Sequence, residues 1–311
     1  MTIVYHAGQI EVQTEANTRR VAGMLADWVG PVGEFARVAD LIVLAMPTSD
    51  GGLAFTVASG PAPLVRVEGG VAIRLPLGNA CTIRSSMPTP VGGLAVNLGQ
   101  RRRARINGRL IAASDGEYEL EAREAFTNCR KYIAPSLALE TGLHIGPLSR
   151  AAIALDDPWL ADVLARAETS FLATVSPDGQ PDASHRGGPP GFLSLDVRAA
   201  RLSWPEYVGD GMLKSAGNVR ATGQLTLLAV DLDTGDGVEL TGVGRYETLR
   251  SSRRPRLEGL EQHREPFPVQ GAMTMDVSRA FRVESVMSPR QRVEKAEKIT
   301  SCSPVDDQAP Q

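Results

Sequence analysis

Apolar residues along this chain come in short runs rather than at the spacing of an amphipathic helix. Phe171-Leu172-Ala173-Thr174-Val175, Phe192-Leu193-Ser194-Leu195, Leu225-Thr226-Leu227-Leu228 and Val238-Glu239-Leu240 are rich in β-branched and aromatic residues and read as strands. Ser176-Pro177-Asp178-Gly179 and Asp233-Thr234-Gly235-Asp236-Gly237 carry turn chemistry between them. Hairpins in an antiparallel sheet follow, and closing that sheet into a barrel would remove its exposed edges. Helices are fewer. Asp156 or Asp157 caps one with Pro158 in its first turn and Leu160, Val163 and Leu164 on one face. Residues Thr18 to Trp28 and Glu121 to Tyr132 are two more candidates, the second closing the first half of the chain.

The pattern occurs twice. Ser59-Gly60-Pro61-Ala62-Pro63-Leu64-Val65 lies over Gly187-Gly188-Pro189-Pro190-Gly191-Phe192-Leu193, and Asn97 to Gly108 lies ungapped over Asp231 to Gly242. A duplication is predicted, its later copy lengthened around Gly209-Asp210-Gly211-Met212-Leu213-Lys214. Asn107-Gly108 alone would make a tight hairpin turn, but its alignment with Thr241-Gly242 points to a glycine kink or bulge inside one strand. The predicted units are 1–140 and 150–287, joined by a linker that includes Pro135-Ser136 and Gly142 to Pro147. From Ser288 the sequence turns polar and Pro-bearing, so 288–311 reads as a disordered tail.

The length of 311 residues suits two ordinary domains, and 42% hydrophobic with 22% charged residues describes a soluble globular protein. A net charge of -3 gives no nucleic-acid footprint. The densest basic run, Arg101-Arg102-Arg103-Ala104-Arg105, alternates into Ile106 like the exposed face of a strand. No charged leader precedes an apolar core and no run approaches the ~18 apolar residues of a spanning helix, so a cytoplasmic protein without membrane or nucleic-acid partners is expected. Cys81, Cys129 and Cys302 are widely spaced without a CxxC pair, which supports neither a disulfide framework nor structural zinc; Cys129 reads as a packing residue. Metalloprotease, nucleophile-elbow and P-loop patterns are absent. Asp231-Leu-Asp233-Thr-Gly-Asp236 resembles a calcium loop, but Gly242 stands at its twelfth position, where a glutamate is needed.

Chemistry concentrates in Asp182-Ala183-Ser184-His185-Arg186-Gly187-Gly188, where the earlier copy has only Thr56-Val57-Ala58 opposite Ser184-His185-Arg186. Arg186 can grip a phosphate bidentately, Ser184 can donate one hydrogen bond, and Gly187-Gly188 let backbone approach. Gly209 to Asn218, with Gly211, Met212 and Lys214, can start a short helix whose free N–H groups add a second grip. The earlier copy has Cys81-Thr82-Ile83-Arg84-Ser85-Ser86 there, without matching glycines, so its anion site is expected to be lost. Trp204-Pro205-Glu206-Tyr207 lies between the two segments. Its aromatics suit either a planar ring attached to the phosphate, as in flavin mononucleotide (FMN), or the core. His185 reads either as a structural imidazole or as a base or ligand.

These residues resemble a known family. Asp182-Ala-Ser-His-Arg-Gly-Gly-Pro-Pro-Gly-Phe, Trp204-Pro-Glu-Tyr, Gly209-Asp-Gly-Met, Gly217-Asn218, Asp231-Leu-Asp-Thr-Gly-Asp and Leu240-Thr-Gly look like the pyridoxamine 5'-phosphate oxidase-related flavin-nucleotide-binding proteins. Tyr5-His6, Arg101-Arg-Arg-Ala-Arg-Ile-Asn-Gly and Phe126-Thr-Asn-Cys-Arg-Lys-Tyr-Ile resemble its tandem members. The resemblance spans roughly residues 5 to 250. It implies two split β-barrels forming an internal pseudo-dimer, with one working FMN site in the later barrel. Ser184, Arg186, Lys214 and Asn218 would serve the phosphate and ribityl end, and Gly187, Gly188, Pro205 and Tyr207 would line the ring. Two departures stand out: Asp210 where an Asn is usual, and Glu206 where an Asp is usual. A carboxylate at 210 repels phosphate unless it caps the helix facing away.

The leading expectation is a flavin-dependent oxidoreductase acting by electron or hydride transfer on a small molecule, with Arg186 stabilising the reduced ring. Alternatives are a non-catalytic flavin- or haem-binding carrier or sensor, deazaflavin in place of FMN, or a degenerate interaction module. No catalytic residue stands out beyond His185 and Tyr207, and no metal ligand set is predicted. A homodimer is a further expectation.

Overall fold

The structure is a computed structural model that describes residues 3–24, 29–68, 72–75, 88–113, 117–140, 142, 144–147, 149–249 and 267–293. Three helices open the chain: α1 (Ala7–Glu15), α2 (Arg19–Met24) and α3 (Val29–Ala36). The first set of strands follows as β1 (Leu41–Pro47), β2 (Leu53–Ser59), β3 (Arg66–Glu68), β4 (Ala72–Leu75), β5 (Thr89–Asn97), β6 (Arg102–Ala112) and β7 (Tyr118–Thr127). Short strands β8 (Ser136–Ala138), β9 (His144–Pro147) and β10 (Ser149–Ala152) lead to α4 (Pro158–Arg166). The second set comprises β11 (Thr169–Val175), β12 (Pro181–Gly187), β13 (Ser194–Asp196), β14 (Arg201–Tyr207), helix α5 (Lys214–Thr222), β15 (Gln224–Val230), β16 (Gly237–Thr248) and β17 (Val269–Glu284), with β18 (Arg290–Arg292) last.

Two antiparallel sheets result. The first runs β3-β4-β7-β6-β5-β1-β2-β9 and the second β12-β11-β15-β16-β17-β14-β13, with β10 also paired to β17. Read backwards from β2, the first order is β2-β1-β5-β6-β7-β4-β3, which matches the second strand for strand. The match extends to a local irregularity: register shifts at Asn107/Gly108 between β6 and β7, and at Thr241/Gly242 between β16 and β17. A Cβ on Gly108 would lie 2.0 Å from the Glu121 carbonyl oxygen, and one on Gly242 2.1 Å from that of Asp276. Each bulge therefore requires a residue without a side chain.

Strand periodicity explains the core. In β1, Ile42, Leu44 and Met46 face the first sheet's interior, while Leu41, Val43 and Ala45 face the other way into a cluster shared with Phe171, Ala173, Leu228 and Val230 of the second sheet. In β15, Leu225, Leu227 and Ala229 join Trp204, Leu240 and Met273 inside the second sheet. Strands buried on both faces read as near-continuous apolar runs, which is how they look in the sequence. Asp157 caps α4 by accepting from the Trp159 N–H (2.8 Å), and Leu160, Val163 and Leu164 are buried as expected.

The mainly β architecture agrees with the sequence reading, with three local corrections. Each sheet is an open path among the described residues, and edge strand β12 of the second is covered by the first half. A Cβ on Gly92 of β5 would come within 2.6 Å of the Asp182 Cα. The stretch from Glu121 lies in strand β7, not a helix, because Tyr118 and Leu120, then Ala125 and Phe126, are buried about a strand that pairs with β6. The linker residues are ordered: Ser136–Ala138 pairs with Arg290–Arg292, and His144–Pro147 pairs with β2. The tail consequently cannot begin at Ser288, since Arg290 is buried and bonded to Ser136 and Asp40. Helix α2 occupies part of the Thr18 to Trp28 stretch; residues 25–28, the Cys81 to Ser86 segment and 294–311 lie outside the described residues. No described helix is long and apolar enough to cross a membrane.

Candidate functional site

A pocket lies where β6 of the first half meets β12, β14 and the approach to α5 in the second. Arg103 and Arg105 come from β6; His185, Arg186 and Gly187 from β12; Pro205, Glu206 and Tyr207 from β14; Asp210, Gly211 and Lys214 from the 209–214 segment. Its free space is about 80 Å³, well below the ~300 Å³ of a small ligand pocket. Tyr132 and Tyr207 also line it and form an aromatic cluster with Phe267, ring centroids 5.0–5.6 Å apart.

Four cations meet four carboxylates at or beside this pocket, and three of the four cations are ion-paired. Arg105 donates to both oxygens of Asp182 at 3.1 and 2.9 Å, and Asn107 and Ser215 donate to the same carboxylate. Arg186 Nε meets Glu206 at 2.6 Å, and Lys214 meets Glu124 at 2.8 Å. Arg103 differs. It donates to His185 Nδ1 (2.5 Å), Cys129 Sγ (3.6 Å) and the Lys131 carbonyl (3.4 Å), and forms no ion pair with any described carboxylate. Burial lowers its pKa, Cys129 and Asp210 oppose the shift, and Arg186 adds to it. Arg103 is partly buried, and Asp210 favours its charge without pairing with it, so the guanidinium keeps the capacity to meet a bound anion.

His185 answers to the same cation. It is 4% exposed, and burial, then Arg103 and Arg186, hold its pKa well below 6.5, so the imidazole is neutral. With Arg103 donating into Nδ1 the proton sits on Nε2, which is buried without a hydrogen-bond partner. Burial pushes the Asp210 carboxyl up. Hydrogen bonds from Asn128 (2.9 Å) and the Met212 N–H (3.1 Å), with Arg105 and Arg103 nearby, outweigh this and hold it ionised. Asp210 therefore faces the pocket from the loop before α5. The helix N-cap is Leu213, left-handed at φ 50° and without a side-chain cap.

Of the sequence candidates, His185, Arg186, Gly187, Pro205, Tyr207, Gly211 and Lys214 share this pocket, whereas Ser184, Gly188, Met212 and Asn218 do not line it. Ser184 is fully buried, bonded to the Leu172 carbonyl and Ser215 (2.9 Å), and reaches the pocket only through Arg186 (3.1 Å). Gly188 is held against Phe192, and Met212 packs with Ile3 and Phe126. Asn218 accepts from Gln9 (2.9 Å), bonds His6 (2.8 Å) and donates to Thr174 (3.0 Å), and with His6, Gln9, Asp182 and Lys214 it lines a neighbouring cavity of about 440 Å³. Trp204 is a core residue, fully buried, its indole N–H donated to Glu206. Gly187 meets the first half directly: a Cβ there would lie 1.8 Å from the Tyr132 carbonyl oxygen.

Arg103, Arg105 and Tyr132 entered the sequence reading only within longer stretches, including motifs resembling the tandem members, and none of them, nor helix α1, was assigned to the site. The alternation of Arg103 and Arg105 along one strand was visible, but it reads as a solvated face until a second sheet is placed over it. Among the described residues no group of side chains could hold a metal ion.

No family model and no curated protein matches the chain. Solved structures do. HupZ of Group A Streptococcus is 18% identical, over 41% of this chain and 93% of its own, at a TM-score of 0.33. A pyridoxamine 5'-phosphate oxidase-related, FMN-binding protein of Nostoc punctiforme is 14% identical, over 46% and 91%, at 0.30. General stress protein 26 of Bacillus anthracis is 14% identical, over 43% and 95%, at 0.28.

Proposed function

We propose that the two halves are tandem copies forming an internal pseudo-dimer, and that the pocket between them binds FMN as the cofactor of an oxidoreductase of the pyridoxamine 5'-phosphate oxidase-like type. The observation that carries this reading is the unpaired Arg103 guanidinium in a pocket that also presents Arg105, Arg186 and Lys214. The donor set fits an anion there. Arg103 and Arg186 hold the phosphate, with N–H groups at the uncapped start of α5 beside them. The free space suits the charged end alone, and Tyr132 and Tyr207 at its edge would shield one face of the ring. When bound, the flavin supplies two-electron transfer to or from a small molecule. Ser184 and Asn218 position Arg186 and α5 rather than touch the ligand.

The absorbance spectrum of freshly purified protein tests this. A flavin spectrum is expected, lost in Arg186→Ala; a deazaflavin spectrum or a Soret band abolished by His185→Ala would replace FMN with one of the alternatives. Full flavin occupancy in Arg186→Ala would remove that residue from the site.

One observation favours a second reading, a flavin carrier or sensor without turnover. The titratable groups named as possible acids or bases are set away from neutrality: His185 is held neutral, and burial pushes the Tyr207 hydroxyl far up. Steady oxidation of NADH or NADPH with an acceptor present would decide for the enzyme.

A further inference from the structure

We infer that Cys129 is a hydroperoxide-reactive thiol of this pocket, with Arg103 as its positioning cation. Cys129 is half-buried, lines the pocket and receives an N–H from Arg103 Nη2 at 3.6 Å. Gly209 faces it without a side chain, and a Cβ there would stand 3.6 Å from Sγ. An N–H donated to sulfur orients it and stabilises negative charge as the sulfur attacks. The independent sign of a ligand is His185. Its ring lines the same pocket, bonds Arg103 through Nδ1, and keeps Nε2 buried and unpartnered. A small oxygen-bearing molecule would satisfy that donor.

The chemistry balances with a hydroperoxide as the oxidant. The Cys129 thiolate attacks the terminal oxygen; an S–O bond forms, the O–O bond breaks, and sulfur loses two electrons to become a sulfenic acid. The departing oxygen takes those electrons and a proton from solvent, leaving as water or an alcohol. Arg103 and the Nε2–H of His185 are the donors that stabilise its charge as it leaves. This reading is independent of flavin binding, since it needs only the pocket's own residues.

Mass spectrometry of the intact folded protein tests it, with iodoacetamide for the thiolate and hydrogen peroxide plus dimedone for the sulfenic acid. A carbamidomethyl adduct and a dimedone adduct are both expected at Cys129. In Arg103→Gln its alkylation at neutral pH is expected to slow about threefold for each unit the thiol pKa rises, because a tenfold loss of thiolate is partly offset by greater nucleophilicity. The pH profile should shift upward with it, and Arg103→Lys should restore both rate and profile. An unchanged Cys129 rate and pH profile in Arg103→Gln, or no dimedone adduct at Cys129 in the native protein, would overturn the proposal.

Discussion

The two ends of the interface between the halves are built from equivalent strands and have opposite characters. At one end β6 presents Arg103 and Arg105 to β12, and beside three cation–carboxylate pairs Arg103 makes no ion pair among the described residues. At the other, the aligned strand β16 presents Glu239, which Arg150 neutralises at 2.8 Å while also donating to the Phe55 carbonyl of β2. Strand β2 carries Ala54, Thr56 and Ala58 where β12 carries Asp182, Ser184 and Arg186. One end holds a single buried pair, and the other gathers four cations among four carboxylates, with Arg103 and Asp210 both charged but not ion-paired to each other. Sheet topology alone does not make a site; the cluster of charge does.

The comparison breaks most severely at the buried pairs. Arg105→Ala strands the Asp182 carboxylate, which is 2% exposed, and is expected to cost about 3–5 kcal/mol in urea unfolding. Arg150→Ala removes a more exposed guanidinium, and about half that loss is expected after solvent screening. Equal losses would mean that the two ends are energetically alike.

Gly108→Ala and Gly242→Ala probe what the halves share. Each new methyl meets a carbonyl oxygen of the neighbouring strand, and each is expected to cost about 1–3 kcal/mol in unfolding. A large loss at one bulge and none at the other would refute their equivalence.

Arg103→Met is expected to raise stability in the absence of ligand, by at most about 1 kcal/mol, since a partly buried charge without an ion pair among the described residues gives way to an apolar chain of similar reach. Destabilisation would mean that Arg103 already has its counter-charge.

The smallest effect is with pH. The unfolded His185 imidazole protonates near 6.5 and the folded one well below, so the unfolded state binds more protons between those values. Stability is therefore full above about 6.5 and declines as pH falls towards the folded value. His185→Gln should flatten the melting temperature measured from pH 7.5 down to 5.5; an unchanged slope would assign the effect to other groups.

Features that depend on local chemistry were legible in the sequence. The Asp157 cap needed only Asp-Pro before an apolar stripe, and the bulge at Asn107-Gly108 needed only its alignment with Thr241-Gly242. Features that depend on a distant partner were not. Arg103 looks solvated until β12 is laid across it, and Ser184 looks like a ligand donor until Ser215 and Leu172 take its hydroxyl. Helix α1 gave no warning that Gln9 and His6 reach Asn218, more than two hundred residues away. The stretch from Glu121 was misjudged because its charged residues suit a helix surface equally well as a strand flanked by solvent.

The most direct test is a fluorescence titration of FMN into the apo-protein, wild type beside Arg103→Met. Quenching with saturable affinity in the wild type, weakened about 10- to 100-fold in the variant as the loss of one charge-assisted contact requires, is the expected result. FMN bound equally well by both would contradict the claim that this unpaired guanidinium makes the pocket a nucleotide site.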